Sequence, residues 1–137
     1  MRPGRRELLI EARCYEAMVA HVQRVYPEEG CGLLAGSPGR AHHHYPITNE
    51  LRSASRFVMA AGEQIQAMVE MEQRGWELSA IYHSHPESEP YPSETDIAQA
   101  YYPDAVQIII SLQERRPAVA AFLIRQGEVS VVSVRLG

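Results

Sequence analysis

The chain has 137 residues, 45% apolar and 22% charged, which suits one domain (1–137) with a proper core. A net charge of -4, with arginine and no lysine among the 13 cationic residues, leaves no basic face for phosphates and argues against a nucleic-acid partner. No segment approaches the roughly 20 apolar residues that span a bilayer, and Leu8–Ile10, after the basic MRPGRR start, is too short for a signal-peptide core, so no membrane role and a cytoplasmic location are expected.

In chain order, residues 14–25 predict an amphipathic helix with Met18, Val22 and Val25 on one face, ending before Tyr26-Pro27. CGLLAG at 31–36 reads as a buried strand. Ser37-Pro38-Gly39 turns the chain into a returning strand, on which the triple histidine 42–44 is expected at an exposed hairpin edge, with His43 opposite His42 and His44. RFVM at 56–59 reads as a further short strand. A second helix is expected over 62–74, its faces marked by Ile65, Met68 and Val69, and stopping at Gly75. Residues 77–84 form a strand, 93–101 a short helix, 106–112 a buried strand and 118–134 a hairpin turned at Gln126-Gly127. The order is mixed α/β of the α+β kind, with one mostly antiparallel sheet and helices packed around it. Cys14 and Cys31 make neither a disulfide framework nor a CxxC pair; Cys31 is expected in the core, and Trp76, Tyr101 and Tyr102 as ordinary packing or surface residues.

The chemistry concentrates in IYHSHPESEPYPSETD, residues 81–96. If the strand runs one residue further, His83 and His85 leave the same face, so both imidazoles can reach one metal ion. Ser93 is a natural N-cap, with Asp96 three residues on, which puts a carboxylate at a helix start beside the histidines. Two imidazole nitrogens and one carboxylate oxygen suit Zn²⁺, and three protein ligands leave a fourth position open, as catalytic sites do. Each element alone has a plainer reading: a hydrogen-bonded surface histidine, a helix start, a stiff loop. Their combined spacing, His-x-His, seven residues, Ser, two residues, Asp, is specific. There is no H-E-x-x-H and no P-C-x-x-C, which sets aside the common zincin and deaminase arrangements.

That spacing resembles the JAMM (MPN+) metalloprotease motif, which also has an upstream glutamate two residues before a Cys-Gly-aliphatic strand. In YPEEGCGLL that residue is Glu29, with Glu28 as its neighbour. PEEGCGLLAG, PITNE, the Phe57 segment and the GEQIQAM helix follow one another as in small bacterial stand-alone members. The resemblance implies a cytidine-deaminase-like three-layer fold and an amide hydrolase with one zinc per chain, held by His83, His85 and Asp96. In that reading Glu29 is general base and then general acid, Ser93 donates a hydrogen bond to the developing oxyanion, and Ser84 faces away as support. The implied substrate is a ubiquitin-like sulfur-carrier protein ending in Gly-Gly, from which cysteine or extra residues are released. A groove beside the metal, built from the strand before His83 and from Thr48, Asn49 and Phe57, would hold the tail, which pairs with a strand edge. The alternatives are a broader isopeptidase acting on lysine-linked conjugates and a non-catalytic scaffold, against which the intact residue set counts.

Overall fold

Strand residues 31–36 are all buried, which requires cover on both faces. The computed structural model describes residues 7–137, so the basic start read from the sequence lies outside the described residues. Its elements are β1 (Glu7–Ile10), α1 (Ala12–Val25), β2 (Cys31–Ser37), β3 (Arg40–Ile47), α2 (Ala61–Arg74), β4 (Glu77–His85), α3 (Glu94–Ala98), β5 (Val106–Ser111), β6 (Ala118–Arg125) and β7 (Glu128–Leu136). The pairings β2–β3, β2–β4, β5–β6 and β6–β7 are antiparallel, whereas β4–β5, β1–β3 and β1–β7 are parallel. Leu34 of β2 joins one core with Cys14, Met18 and Val22 of α1. Cys31, Leu33 and Ala35 join another with Ala67 and Met71 of α2. Helices therefore cover opposite faces of a mixed sheet, the α+β class expected.

The sheet also closes. β1 runs between β3 and β7, giving the ring β1-β3-β2-β4-β5-β6-β7. Its register, Glu7↔Ser133 through Ile10↔Leu136, joins the two ends of the described chain. The run read only as too short for a signal core is the strand that completes the ring.

Three local expectations are corrected. α2 buries Ala67 and Met71 and leaves Ile65 and Val69 exposed. Both pairs have i, i+4 spacing, about 200° apart on the helix, so periodicity alone cannot choose between them. Residues 56–59 form no strand; only an isolated bridge, Asn49↔Met59, occurs there. The histidine triplet is not exposed: His42, His43 and His44 are all half-buried, on the stretch of β3 beyond its short pairing with β1 at Arg40 and Ala41. A bulge pairs Ala35 with His43 but Gly36 with Ala41, so His42 is the extra residue. His42 and His43 both meet Trp76, with ring centroids 5.0 and 4.9 Å away. His44 turns the other way and lies 2.6 Å from the Tyr82 hydroxyl. That hydroxyl crosses over Gly32, where any Cβ would collide with the Tyr82 ring. The glycine of CGLL is a steric requirement.

Candidate metal centre and active site

β4 is held in register by β2 (Cys31↔His83) and by β5 (His83↔Ile109, His85↔Ser111). Strand alternation then brings His83 and His85 to one face, with their Nε2 atoms 3.2 Å apart. After Pro86 the loop leads to Ser93, whose Oγ accepts the Asp96 N–H at 3.0 Å while Asp96 Oδ2 accepts the Ser93 N–H at 2.9 Å. This reciprocal cap nucleates α3 and aims one carboxylate oxygen at the histidines. The same Oδ2 lies 3.2 Å from His83 Nε2 and 3.1 Å from His85 Nε2.

These three atoms form a nearly equilateral triangle. A tetrahedral zinc with ligands at about 2.0 Å has edges of about 3.3 Å, so the triangle fits one face of that tetrahedron. Proton positions agree. His85 Nδ1 donates to the Glu89 carbonyl oxygen at 2.8 Å, which leaves a lone pair on His85 Nε2. With neutral imidazoles, three electron-rich atoms meet with at most one hydrogen among them, and a cation satisfies that arrangement. His83 is 2% exposed and stacks on Phe57 at 4.7 Å, and its buried Nδ1 has no partner. Burial opposes ionisation of Asp96, but hydrogen bonds and charge from His83 and His85 win and hold it well below the usual carboxylate range. Burial likewise works against a charged His85, yet Asp96, the Glu89 carbonyl and Glu29 together raise its pKa.

Glu29 lies on the segment between α1 and β2 and is 5% exposed. Burial pushes its carboxyl up to about 7; Asp96 adds to the rise and His85 opposes it. Its Oε1 is buried without a partner. Ser84 points away from the triangle: its Oγ accepts the Gly30 N–H at 2.8 Å, and its own N–H donates to the Gly30 carbonyl at 3.0 Å. It fastens the glutamate's segment to β4. Ser93 keeps its hydroxyl hydrogen free, because its oxygen serves the cap as acceptor.

A hollow of about 330 Å³ opens beside His83 and Asp96, lined also by Phe57, Met59, Tyr101 and Tyr102. The two tyrosines, read from the sequence as ordinary surface or packing residues, therefore face the site. Their only sequence signal is their place directly after the helix that carries Asp96. Of the three expected groove residues, Phe57 lines this hollow and two do not. Thr48 is tied to α2, its N–H and Oγ1 donating to Glu63 at 2.7 and 2.9 Å. Asn49 is buried, and both border a separate recess of about 200 Å³ with Glu28, Glu29 and Gly30. Beside the site, residues 80–83 of β4 are paired on both sides, with β2 and with β5.

The residues that form this site lie in a recognisable family context. The chain belongs to the prokaryotic homologs of the JAB domain, whose model matches residues 11–124, and the JAMM/MPN resemblance is thereby borne out. It is 39% identical over 126 residues, 90% of this chain and 86% of the relative, to the CysO-cysteine peptidase of Mycobacterium tuberculosis. A probable TtuB-protein conjugate cleaving protease of Thermus thermophilus is 34% identical over 116 residues, 80% of this chain and 70% of the relative. Among solved structures, a protein from Desulfitobacterium hafniense superposes with a TM-score of 0.85 at 32% identity, covering 95% of this chain and 92% of its own. A JAB1/MPN domain protein from Archaeoglobus fulgidus matches at TM-score 0.62 and 19% identity, over 93% of this chain and 99% of its own, and shows the shared fold.

Proposed function

We propose that the protein is a zinc-dependent peptidase that hydrolyses the amide bond after the C-terminal Gly-Gly of a ubiquitin-like sulfur-carrier protein, releasing cysteine or extra residues. The observation that carries this reading is the triangle of His83, His85 and Asp96 ligand atoms at 3.1–3.2 Å, with the buried Glu29 close enough to feel two of them. These three residues would hold one zinc, which when bound supplies a Lewis acid able to lower a water's pKa from 15.7 to about 7. Glu29, with a carboxyl pushed up to about 7, is suited to take a proton from the attacking water and return it to the departing amine. Ser93 has a hydroxyl hydrogen to offer the carbonyl oxygen as charge develops on it. Phe57, stacked on His83, braces one ligand from the side of the hollow.

The mycobacterial relative's name supports a carrier–amino acid substrate, and the Thermus relative's name keeps open the second reading, cleavage of conjugates to other proteins. A cytoplasmic location belongs to the same proposal; among the described residues no helix is long and apolar enough to cross a membrane. The test is incubation of the zinc-loaded protein with a β-grasp carrier extended beyond its Gly-Gly, followed by mass spectrometry of the products. Cleavage directly after the second glycine is expected. Cleavage only of a lysine-linked conjugate would move the assignment to the isopeptidase, and no cleavage of either would refute it.

A further inference from the structure

Asn49 is 7% exposed and every hydrogen-bonding position of its carboxamide is used. Nδ2 donates to the Glu29 carbonyl at 3.0 Å and to the Arg56 carbonyl at 3.1 Å. Oδ1 accepts the N–H groups of Leu51 at 3.0 Å and Val58 at 3.2 Å. The Glu29 N–H in turn donates to the Ser53 carbonyl at 2.7 Å. Both main-chain polar groups of Glu29 therefore end on the segment 49–58, one on an Asn49 side-chain donor and one on a carbonyl of the turn that Asn49 organises. The bonds to Arg56 and Val58 bracket Phe57, whose ring stacks on His83 at 4.7 Å. One side chain thus joins the main chain of the glutamate to the wall of the hollow.

We infer that Asn49 is a positioning residue: it fixes the aim of Glu29 by tying that residue's main chain to the Phe57 segment, so that a ligand seated against Phe57 and Met59 steadies the glutamate as well. Glu29's role as base rests on the peptidase reading; the mechanical tie does not. A segment with no strand pairing beyond one bridge has little of its own to hold it, and the buried amide supplies the missing order. The Gly30–Ser84 pair anchors the far side of the same peptide to β4, so Asn49 holds the side that faces the segment 49–58.

Native-state amide exchange of the zinc-treated protein tests this without any substrate. The N–H groups of Glu29, Leu51 and Val58 should exchange as one unit, with protection within about 3-fold of one another. Asn49→Asp keeps the two acceptor bonds and loses the two donor bonds; it should lower that shared protection by at least about 10-fold while Leu33 and Ile109 in the strands keep theirs. On a cleavable carrier the same variant should lose at least about 10-fold in kcat with KM within about 3-fold and zinc content unchanged. If the wild type cleaves no carrier, the peptidase reading fails and the exchange data still decide the tie. Independent exchange of Glu29 in the wild type, or a variant that loosens strands and segment equally, overturns the inference.

Discussion

The burial of Glu29 has a thermodynamic signature that can be measured with the metal removed. The carboxyl sits at 4.5 in the unfolded chain and at about 7 in the folded one, because burial disfavours its charge. A group whose pKa rises on folding contributes its full stability below the unfolded value and loses it as pH climbs through the folded value. Between the unfolded value and about pH 7 the ionised form therefore costs the fold up to about 1.4 kcal/mol per pH unit and nothing further above it, about 3 kcal/mol in all, and about 1–2 kcal/mol once water at the mouth of the site screens the charge. Glu29→Gln removes the titration and keeps the shape. Urea denaturation of the EDTA-dialysed proteins, followed by circular dichroism at pH 5, 6, 7 and 8, reads this contribution together with the smaller change at His85, which loses the part of its raised pKa that Glu29 supplies. The variant's midpoint should gain on the wild type by about 0.5–1 M between pH 5 and 8, for an m-value of about 2 kcal/mol/M. Parallel midpoint curves would mean that Glu29 ionises freely in the folded chain, and the case for it as a near-neutral base would collapse.

Metal analysis of the purified protein should find one zinc per chain, largely lost in His83→Ala and Asp96→Ala and retained in Glu29→Gln; retention in both ligand variants would dismiss the triangle as a metal site. Zinc should also leave as pH falls below about 6, since the imidazoles must be neutral to bind, and the raised pKa of His85 in the metal-free site favours early release. Ser93→Ala should slow carrier cleavage by roughly 10²–10³-fold and lower stability by about 1 kcal/mol through the lost cap, whereas Glu28→Gln should leave kcat nearly unchanged; an inactive Glu28 variant would shift the glutamate assignment by one. Replacing the carrier's second glycine by alanine should cost at least about 10-fold in kcat/KM, near 1.4 kcal/mol, and equal rates would argue against a narrow groove. Tyr82→Phe should destabilise the fold by about 1–3 kcal/mol in thermal melts by stranding His44 Nε2, and no change would show that their 2.6 Å contact contributes nothing.

What could be read from the sequence was what chain spacing alone determines. His83 and His85 are two apart on a strand, and Ser93 and Asp96 are a capping pair, so their convergence follows from local geometry. The pairing of residues 7–10 with 133–136 depends on contacts across the whole chain, and four residues carry no pattern long enough to announce a strand. The choice between the Ile65/Val69 and Ala67/Met71 faces of α2 was set by the sheet beneath it, where a small alanine allows close approach. The bulge at His42 could not be seen without the register of β2. Asn49 carries no sequence signal of its hydrogen-bond partners; Glu29 and the turn beyond Asn49 meet its side chain only once the chain has folded back on itself.

Asp96 Oδ2 accepts the Ser93 N–H and also faces both imidazoles, so one atom closes a helix cap and would complete the proposed ligand set. A five-residue helix has too few internal hydrogen bonds to persist by its own propensity and survives here through that cap and its packing. The carboxylate rotamer is therefore frozen when the chain folds, not when metal arrives, and the ordering entropy of the ligand is not charged against metal affinity. In the metal-free state the same three atoms stay in mutual contact through hydrogen bonds between the imidazoles and the carboxylate, which a metal ion would have to replace. Such a centre should capture its ion with little rearrangement and act as a rigid template, with selectivity for ion size set by a triangle that cannot relax without unwinding α3.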